Sequence, residues 1–214
     1  MYIAIAGNIG AGKTTLTKML AKYYGWEPRF ESVSFNPYLE DYYSDIQRWA
    51  FCLETYFLKE RFKDMMAVQK ASHTIVQDRS IFEGVYVFVR NNYERGDLSE
   101  RDFTTFMELF DLMKSQMKMP DMMIYLRKSV PALIAQIQKR GRDYEQSMQI
   151  DYLKDLNEKY EDFYEASEKF KAGVKYKCLT SLNCIGGKAL IYIDKMLLNP
   201  KREKDALEND ERID

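Results

Sequence analysis

The stretch Gly7-Asn8-Ile9-Gly10-Ala11-Gly12-Lys13-Thr14-Thr15 sets glycine, lysine and threonine at the spacing G-x-x-x-x-G-K-[ST]. The glycines let the backbone curl until successive N–H groups point inward at phosphate oxygens, and a helix starting there adds partial positive charge at the same spot. Lys13 then reaches the outer phosphates of a nucleoside triphosphate, and the Thr14 hydroxyl is placed to ligate Mg²⁺. Moving a phosphoryl group from that donor to a hydroxyl needs a metal partner, cations for the charge on the moving group and a base near the nucleophile. Asp78, after Ile75-Val76, is a metal partner for Thr14. Arg140 and Arg142, in the run Lys139-Arg140-Gly141-Arg142, suit a mobile lid over the phosphates, although a solvated charge run has the same composition. Glu31 is the candidate base; its position alone leaves a plain surface acid equally open.

These residues lie far apart in sequence, so the fold must gather them. The apolar run Tyr2-Ile3-Ala4-Ile5-Ala6 reads as a buried parallel strand, and residues 16–23 carry apolar side chains at helical spacing. The glycine loop therefore sits in the strand–turn–helix context its motif requires. Residues 28–33 read as a second strand with Glu31 at its end, 73–78 as a third, 122–126 as a fourth and 174–179 as a fifth. Helices are predicted from about 44 to 70, from a cap at Ser99 with Asp102 three residues on, and over 130–139, 150–168 and 188–198. Residues 91–97 break the pattern. Strands alternating with helices make this an α/β chain, a five-stranded parallel sheet covered on both faces. Ligands of such sheets sit at the carboxyl ends of the strands, where Glu31, Asp78, Arg79 and the glycine loop all fall. Residues 1–200 form one expected domain, and 201–214 a charged, disordered tail.

Bulk properties narrow the function. With 214 residues, 46% hydrophobic and 30% charged, the chain suits one globular domain. A net charge of −1 leaves no electrostatic footprint for nucleic acid or an anionic membrane. No apolar stretch reaches the roughly 18 residues of a membrane span, and with a strand read from Tyr2 no signal peptide is expected. Cys52, Cys178 and Cys184 have no metal-ligand spacing and read as reduced thiols, so a cytoplasmic location is expected. His73 is the only histidine and reads as a strand-edge residue, so no histidine triad or zinc site is expected.

Together the motifs point to one family. GNIGAGKT over Gly7–Thr14, Asp78-Arg79-Ser80 after the third strand, Arg140-Gly141-Arg142 and Glu31 after the second strand resemble the deoxyribonucleoside kinases. The likeness is greatest to the bacterial purine deoxynucleoside kinases, which share Ser34-Phe35-Asn36-Pro37-Tyr38-Leu39, and it runs from Tyr2 to about Tyr164. The resemblance implies a P-loop NTPase-type fold, ATP as donor, a homodimer, and the following roles. Glu31 takes the proton of the sugar 5′-hydroxyl, Arg79 holds that carboxylate and the 5′ oxygen, and Thr14 and Asp78 organise Mg²⁺. Tyr43 and Glu145 bind the sugar 3′-hydroxyl, Arg61 reads the base edge, and Arg140 and Arg142 clamp phosphate. Phe82 or Phe110 is the aromatic expected against the base.

Three departures stand out. Gln136 replaces a lid arginine, Glu54 stands where the family has glutamine, and Gly84 where it has aspartate. An ionised carboxylate only accepts hydrogen bonds, so Glu54 suits guanine, which offers N1–H and a 2-amino group. Adenine then requires Glu54 to be protonated or turned away. A thymidylate-type monophosphate kinase shares the loop, a DR motif and an arginine lid, but its phosphate acceptor has no use for Glu31. A GTP-binding switch would need D-x-x-G and N-K-x-D, and neither is present. A binding module without catalysis is disfavoured by the presence of Lys13 and Glu31.

Overall fold

Five parallel strands, β1 (Tyr2–Ala6), β2 (Glu27–Arg29), β3 (Ile75–Asp78), β4 (Met122–Leu126) and β5 (Lys175–Leu179), form one sheet in the order β2-β3-β1-β4-β5. The structure, a computed structural model, describes residues 1–31, 36–142, 145, 148–170 and 174–179. Every residue of β1 is buried, as expected for a central strand covered on both faces. Register pairs Ile5 with Asp78 and Ala6 with Tyr125, so the glycine loop and Asp78-Arg79 leave the sheet at the same edge. β2 ends at Arg29, short of its expected extent, and Glu31 lies two residues past it. The expected helix over 188–198, the tail from 201 and the Ser34-Phe35 part of the resemblance lie outside the described residues.

The helix expected from about 44 to 70 is α3 (Ile46–Lys70), and a short helix that was not expected, α2 (Leu39–Ser44), precedes it. They break at Asp45, whose side chain accepts from Arg48 N–H and caps α3. One stripe of α3 is buried: Ala50, Leu53, Glu54, Phe57, Leu58, Arg61, Met65 and Val68. Two charged residues in an otherwise apolar stripe need partners there, because an unpaired buried charge is costly. They mark where α3 meets the site.

After β3 the chain runs through α4 (Ile81–Glu83), a π-helical segment (Gly84–Val89) and α5 (Arg90–Glu94). The break expected over 91–97 is therefore helical in its first half. Asn91 and Asn92 are buried polar residues there, and the Asn92 carbonyl accepts from both Asp97 and Leu98 to close the helix. Gly84, Val85, Val87 and Val89 are weak helix formers, and burial against α3 and α8 overrides that preference. A wide π turn of this kind recurs at functional sites. Of the remaining helices, α1 (Lys13–Tyr24), α6 (Glu100–Lys114), α7 (Val130–Arg140) and α8 (Ile150–Phe170), α6 is capped as expected, with Ser99 Oγ accepting from Asp102 N–H. His73 is exposed before β3 and pairs with Glu27. Among the described residues no helix is long and apolar enough to cross a membrane.

One buried carboxylate ties the loops at the sheet edge together. Glu83, 0% exposed, accepts from Gly7 N–H at 3.2 Å and Tyr160 O–H at 3.0 Å with one oxygen. Its other oxygen accepts from Ser80 N–H at 2.8 Å and Ser80 O–H at 3.2 Å. Four donors converge on two acceptor oxygens, which is what an ionised carboxylate satisfies and an amide does not. Replacing Glu83 by glutamine turns an NH₂ toward one pair of donors and removes the charge. The expected loss for Glu83→Gln is about 2 kcal/mol of unfolding free energy, read from the denaturant midpoint. An unchanged midpoint would show that the network contributes nothing.

Candidate active site

Gly7 and Gly10 have φ of 146° and 82°, and a Cβ on either would lie 2.9 Å from Leu126 O or 2.8 Å from Leu133 O. Only glycine fits this loop without strain. Asn8 fastens the loop to α8: its Nδ2 donates to Leu153 O at 3.1 Å, and its Oδ1 accepts from Ile9 N–H at 2.7 Å. Lys13 Nζ donates to Asn8 O at 3.0 Å. Burial, helped by the Arg79 charge, lowers the Lys13 ammonium to about 8 despite nearby Asp78, Glu83 and Glu31. Thr14 donates to Asp78 Oδ2, so the two expected metal partners touch. Ala11 packs inside, and Thr15 lies exposed in the first turn of α1.

Arg79 holds φ of 69°, the only positive value on a non-glycine residue among those described. Strain of this kind persists where surrounding contacts over-determine it. Here Arg79 N–H donates to Ile5 O at 3.0 Å, Nη1 to Tyr160 Oη at 3.0 Å, and the guanidinium lies 4.3 Å from the Phe88 ring centre. Its Nε stands 3.2 Å from Glu31 Oε2. Arg61 pairs with the other oxygen of Glu31. Burial alone would raise the Glu31 carboxyl, but Arg79, Arg61 and Lys13 outweigh it and hold it at about 2. The candidate base is therefore ionised, and weakly basic while both arginines hold it.

Glu54, 4% exposed, accepts from Asn92 Nδ2 at 3.2 Å, and Asn92 is oriented by Tyr42 O–H, which donates to its Oδ1 at 3.0 Å. Burial raises the Glu54 carboxyl to about 7, with Glu31 pushing the same way and Arg61, Arg79 and Asn92 opposing. On the far wall Glu145, 5% exposed, accepts from Arg140 Nε at 3.1 Å and lies 3.5 Å from Arg142 Nη1. Gly141, at φ 65°, ends α7 between these two arginines and turns both toward the carboxylate.

One cleft takes in Ile9, Gly10, Lys13, Thr14, Glu31, Tyr43, Glu54, Arg61, Asp78, Arg79, Arg140, Arg142 and Glu145. It brings together the expected residues Lys13, Thr14, Glu31, Tyr43, Glu54, Arg61, Asp78, Arg79, Arg140, Arg142 and Glu145, while Asn8 and Thr15 of the glycine stretch lie outside its lining. Phe82 also lies outside: it is 3% exposed and packs edge-on against Phe110 at 6.2 Å, away from the cleft. Phe110 is likewise wholly buried. The rings that do line the cleft are Phe30, Tyr42, Tyr43, Phe57, Phe88 and Tyr152. Phe88 was missed because the helix carrying it, with its apolar run Val85-Tyr86-Val87-Phe88-Val89, has no amphipathic period to show which face is buried. The polar residue Asn92 was missed because it sits in what reads as a loop.

A family model described as deoxynucleoside kinase matches residues 3–210. The chain belongs to the deoxynucleoside kinase family. It is 39% identical to a deoxyadenosine/deoxycytidine kinase of Bacillus subtilis over 163 residues, 75% of each chain. It is 37% identical to a deoxyguanosine kinase of Lactobacillus acidophilus over 172 residues, 76% of this chain and 75% of that one. In three dimensions it matches the structure of a deoxyadenosine kinase from M. mycoides with bound dATP, with a TM-score of 0.81 at 29% identity, covering 92% of this chain and 99% of that one. The fold is thus the P-loop kinase fold of this family, and the chain is a deoxynucleoside kinase.

The two phenylalanines separate packing from recognition. Phe88→Leu removes a ring that faces the cleft and covers Arg79, and is expected to raise the nucleoside KM about tenfold. Phe82→Leu is expected to leave KM within about twofold while lowering stability by about 1 kcal/mol. Steady-state kinetics and a denaturant titration on both variants check this; the reverse pattern would return the base slot to Phe82.

Proposed function

We propose that this kinase transfers the γ-phosphoryl group of Mg-ATP to the 5′-hydroxyl of a purine deoxynucleoside, deoxyguanosine or deoxyadenosine. The observation that carries the reading is Glu31, an ionised carboxylate held between Arg79 and Arg61 in the cleft that also contains Lys13 and the glycine loop. Glu31 accepts the proton of the 5′-hydroxyl as that oxygen attacks the γ-phosphorus and the bond to the departing ADP oxygen breaks. A weak base is adequate where the transition state is loose and the nucleophile's proton leaves late. Five cations line the cleft, Lys13, Arg61, Arg79, Arg140 and Arg142, against four carboxylates, Glu31, Glu54, Asp78 and Glu145. The surplus suits a polyphosphate.

The touching pair of Thr14 hydroxyl and Asp78 carboxylate fits Mg²⁺, which is held by one or two protein oxygens with waters and phosphates completing its shell. Bound there, the ion would neutralise charge on the phosphates. Tyr43 and Glu145 are read as partners of the sugar 3′-hydroxyl; Glu145, on which Arg140 and Arg142 converge, would then link sugar binding to lid position. A phosphate-bearing acceptor would set its charge against Glu31, which favours a neutral nucleoside. A homodimer and a cytoplasmic location are read from the family resemblance, and Cys52 and Cys178 form no disulfide among the described residues. Residues 1–200 are read as one kinase domain.

Assay of Mg-ATP with the four deoxynucleosides and dTMP tests the reading: purine deoxynucleosides are expected to be the best acceptors, and turnover of dTMP alone would overturn it. Glu54 adds a pH dependence. Below about 7 its carboxyl is protonated and both donates and accepts, as adenine requires; above about 7 it is ionised and only accepts, as guanine requires. The facing groups are Arg61, Arg79, Glu31, Asn92, Tyr42 and Tyr152. The deoxyguanosine-to-deoxyadenosine ratio of kcat/KM is therefore expected to rise with pH between 6 and 8, by up to about tenfold per unit, and to stay flat in Glu54→Gln. A ratio that moves equally in both proteins would remove Glu54 as the cause.

A further inference from the structure

Arg61 is read above as the residue that meets the base, yet its guanidinium pairs with Glu31, the residue that handles the 5′-hydroxyl at the other end of the acceptor. Three observations describe this position. Arg61 is 7% exposed, and its guanidinium lies 4.8 Å from the Phe57 ring centre. Arg61 Nε is a buried donor with no hydrogen-bond acceptor among the described residues. Gly84 makes the position possible, because a Cβ there would stand 2.4 Å from Arg61 Nη1. The backbone of Gly84, at φ −53° and ψ −47°, is ordinary helix, so a side chain here would displace the tip of Arg61 and would not strain the backbone.

An arginine paired with Glu31 does two things at once. It withdraws a donor from the base pocket, and it shares the carboxylate that must accept the hydroxyl proton. We propose that Arg61 is a latch whose transfer from Glu31 to the purine base couples base recognition to unmasking of the catalytic carboxylate, with Gly84 providing the space. The inference rests on the reading of this site as a purine deoxynucleoside site. Arg79 remains on Glu31 throughout, held by Tyr160 and Phe88, so the carboxylate stays positioned while Arg61 leaves. Glu31 then loses one of the three cations that depress its basicity, and it does so only when a base has arrived. Gly84 and Arg61 are on this account positioning residues for Glu31, as well as parts of the base pocket.

The latch makes an unusual demand: removing the charge of Glu31 should improve nucleoside binding. In Glu31→Gln the neutral amide keeps an oxygen for the 5′-hydroxyl but no longer competes with the base for Arg61. Calorimetric Kd values for deoxyguanosine and deoxyadenosine, without donor nucleotide, are measured on the wild type, Glu31→Gln, Arg61→Met and the double variant. Glu31→Gln is expected to bind the better nucleoside about fivefold more tightly than the wild type, and the gain is expected to vanish in the Arg61→Met background. Equal or weaker binding by Glu31→Gln overturns the latch, as does a gain that survives Arg61→Met. Circular dichroism and the denaturant midpoint confirm that each variant is folded; the double variant removes both charges of the pair and guards against a misfolded single one. If no protein binds any deoxynucleoside, the functional reading itself falls, and the latch with it.

Discussion

The carboxylate of Glu83 is the constraint on which the site depends. It receives the first N–H of the glycine loop, the N–H and hydroxyl of Ser80 and the hydroxyl of Tyr160, all inside the protein. Tyr160 in turn accepts from Arg79, and Arg79 reaches Glu31. A chain of short contacts thus runs from the phosphate loop, through a residue on α8, to the candidate base, without passing through solvent. The geometry of donor and acceptor sites is set by one buried charge whose four partners come from three separate stretches of sequence.

Such an arrangement is expensive in free energy unless every partner is present, because a buried carboxylate without donors is destabilising. The α/β fold answers this by bringing strand ends to one edge. Ile5 and Asp78 are register partners, so the turns after β1 and β3 start side by side, and the left-handed conformation of Arg79 swings its side chain back across the cleft. The same low-polarity surroundings set the two other carboxylates apart. Three cations hold Glu31 at about 2, whereas at Glu54 burial outweighs Arg61, Arg79 and Asn92 and lifts the carboxyl to about 7. Two glutamates in one pocket thereby acquire different roles, one always ionised and one poised near neutrality.

Much of this was legible in the sequence, and the reasons are specific. The glycine loop could be read because its backbone geometry admits only glycine, and the five parallel strands because apolar runs alternate with helical periods; their order in the sheet comes from the fold. Glu54 and Arg61 entered through the family resemblance alone; that both are charges within the buried stripe of α3 is visible only in the fold. What stayed hidden depended on tertiary packing. The segment from Ile81 to Glu94 is helical against its propensities, so the ring that lines the cleft, Phe88, was not separable from Phe82, which supports the core. Asn92 looked like a loop residue, and Glu83 like a neighbour of Gly84; only the folded chain shows that each is buried and holds a functional carboxylate or loop in place.

The central claim is that Glu31 is the group to which the attacking hydroxyl gives its proton. Its most direct test is the single-turnover rate of phosphoryl transfer from ATP to bound deoxyguanosine, measured with both substrates saturating, in the wild type and in Glu31→Gln. The account predicts a fall of about 10²-fold or more with the nucleoside still bound. A rate within about tenfold of the wild type would contradict it, and would assign the proton transfer to water or to a phosphate oxygen.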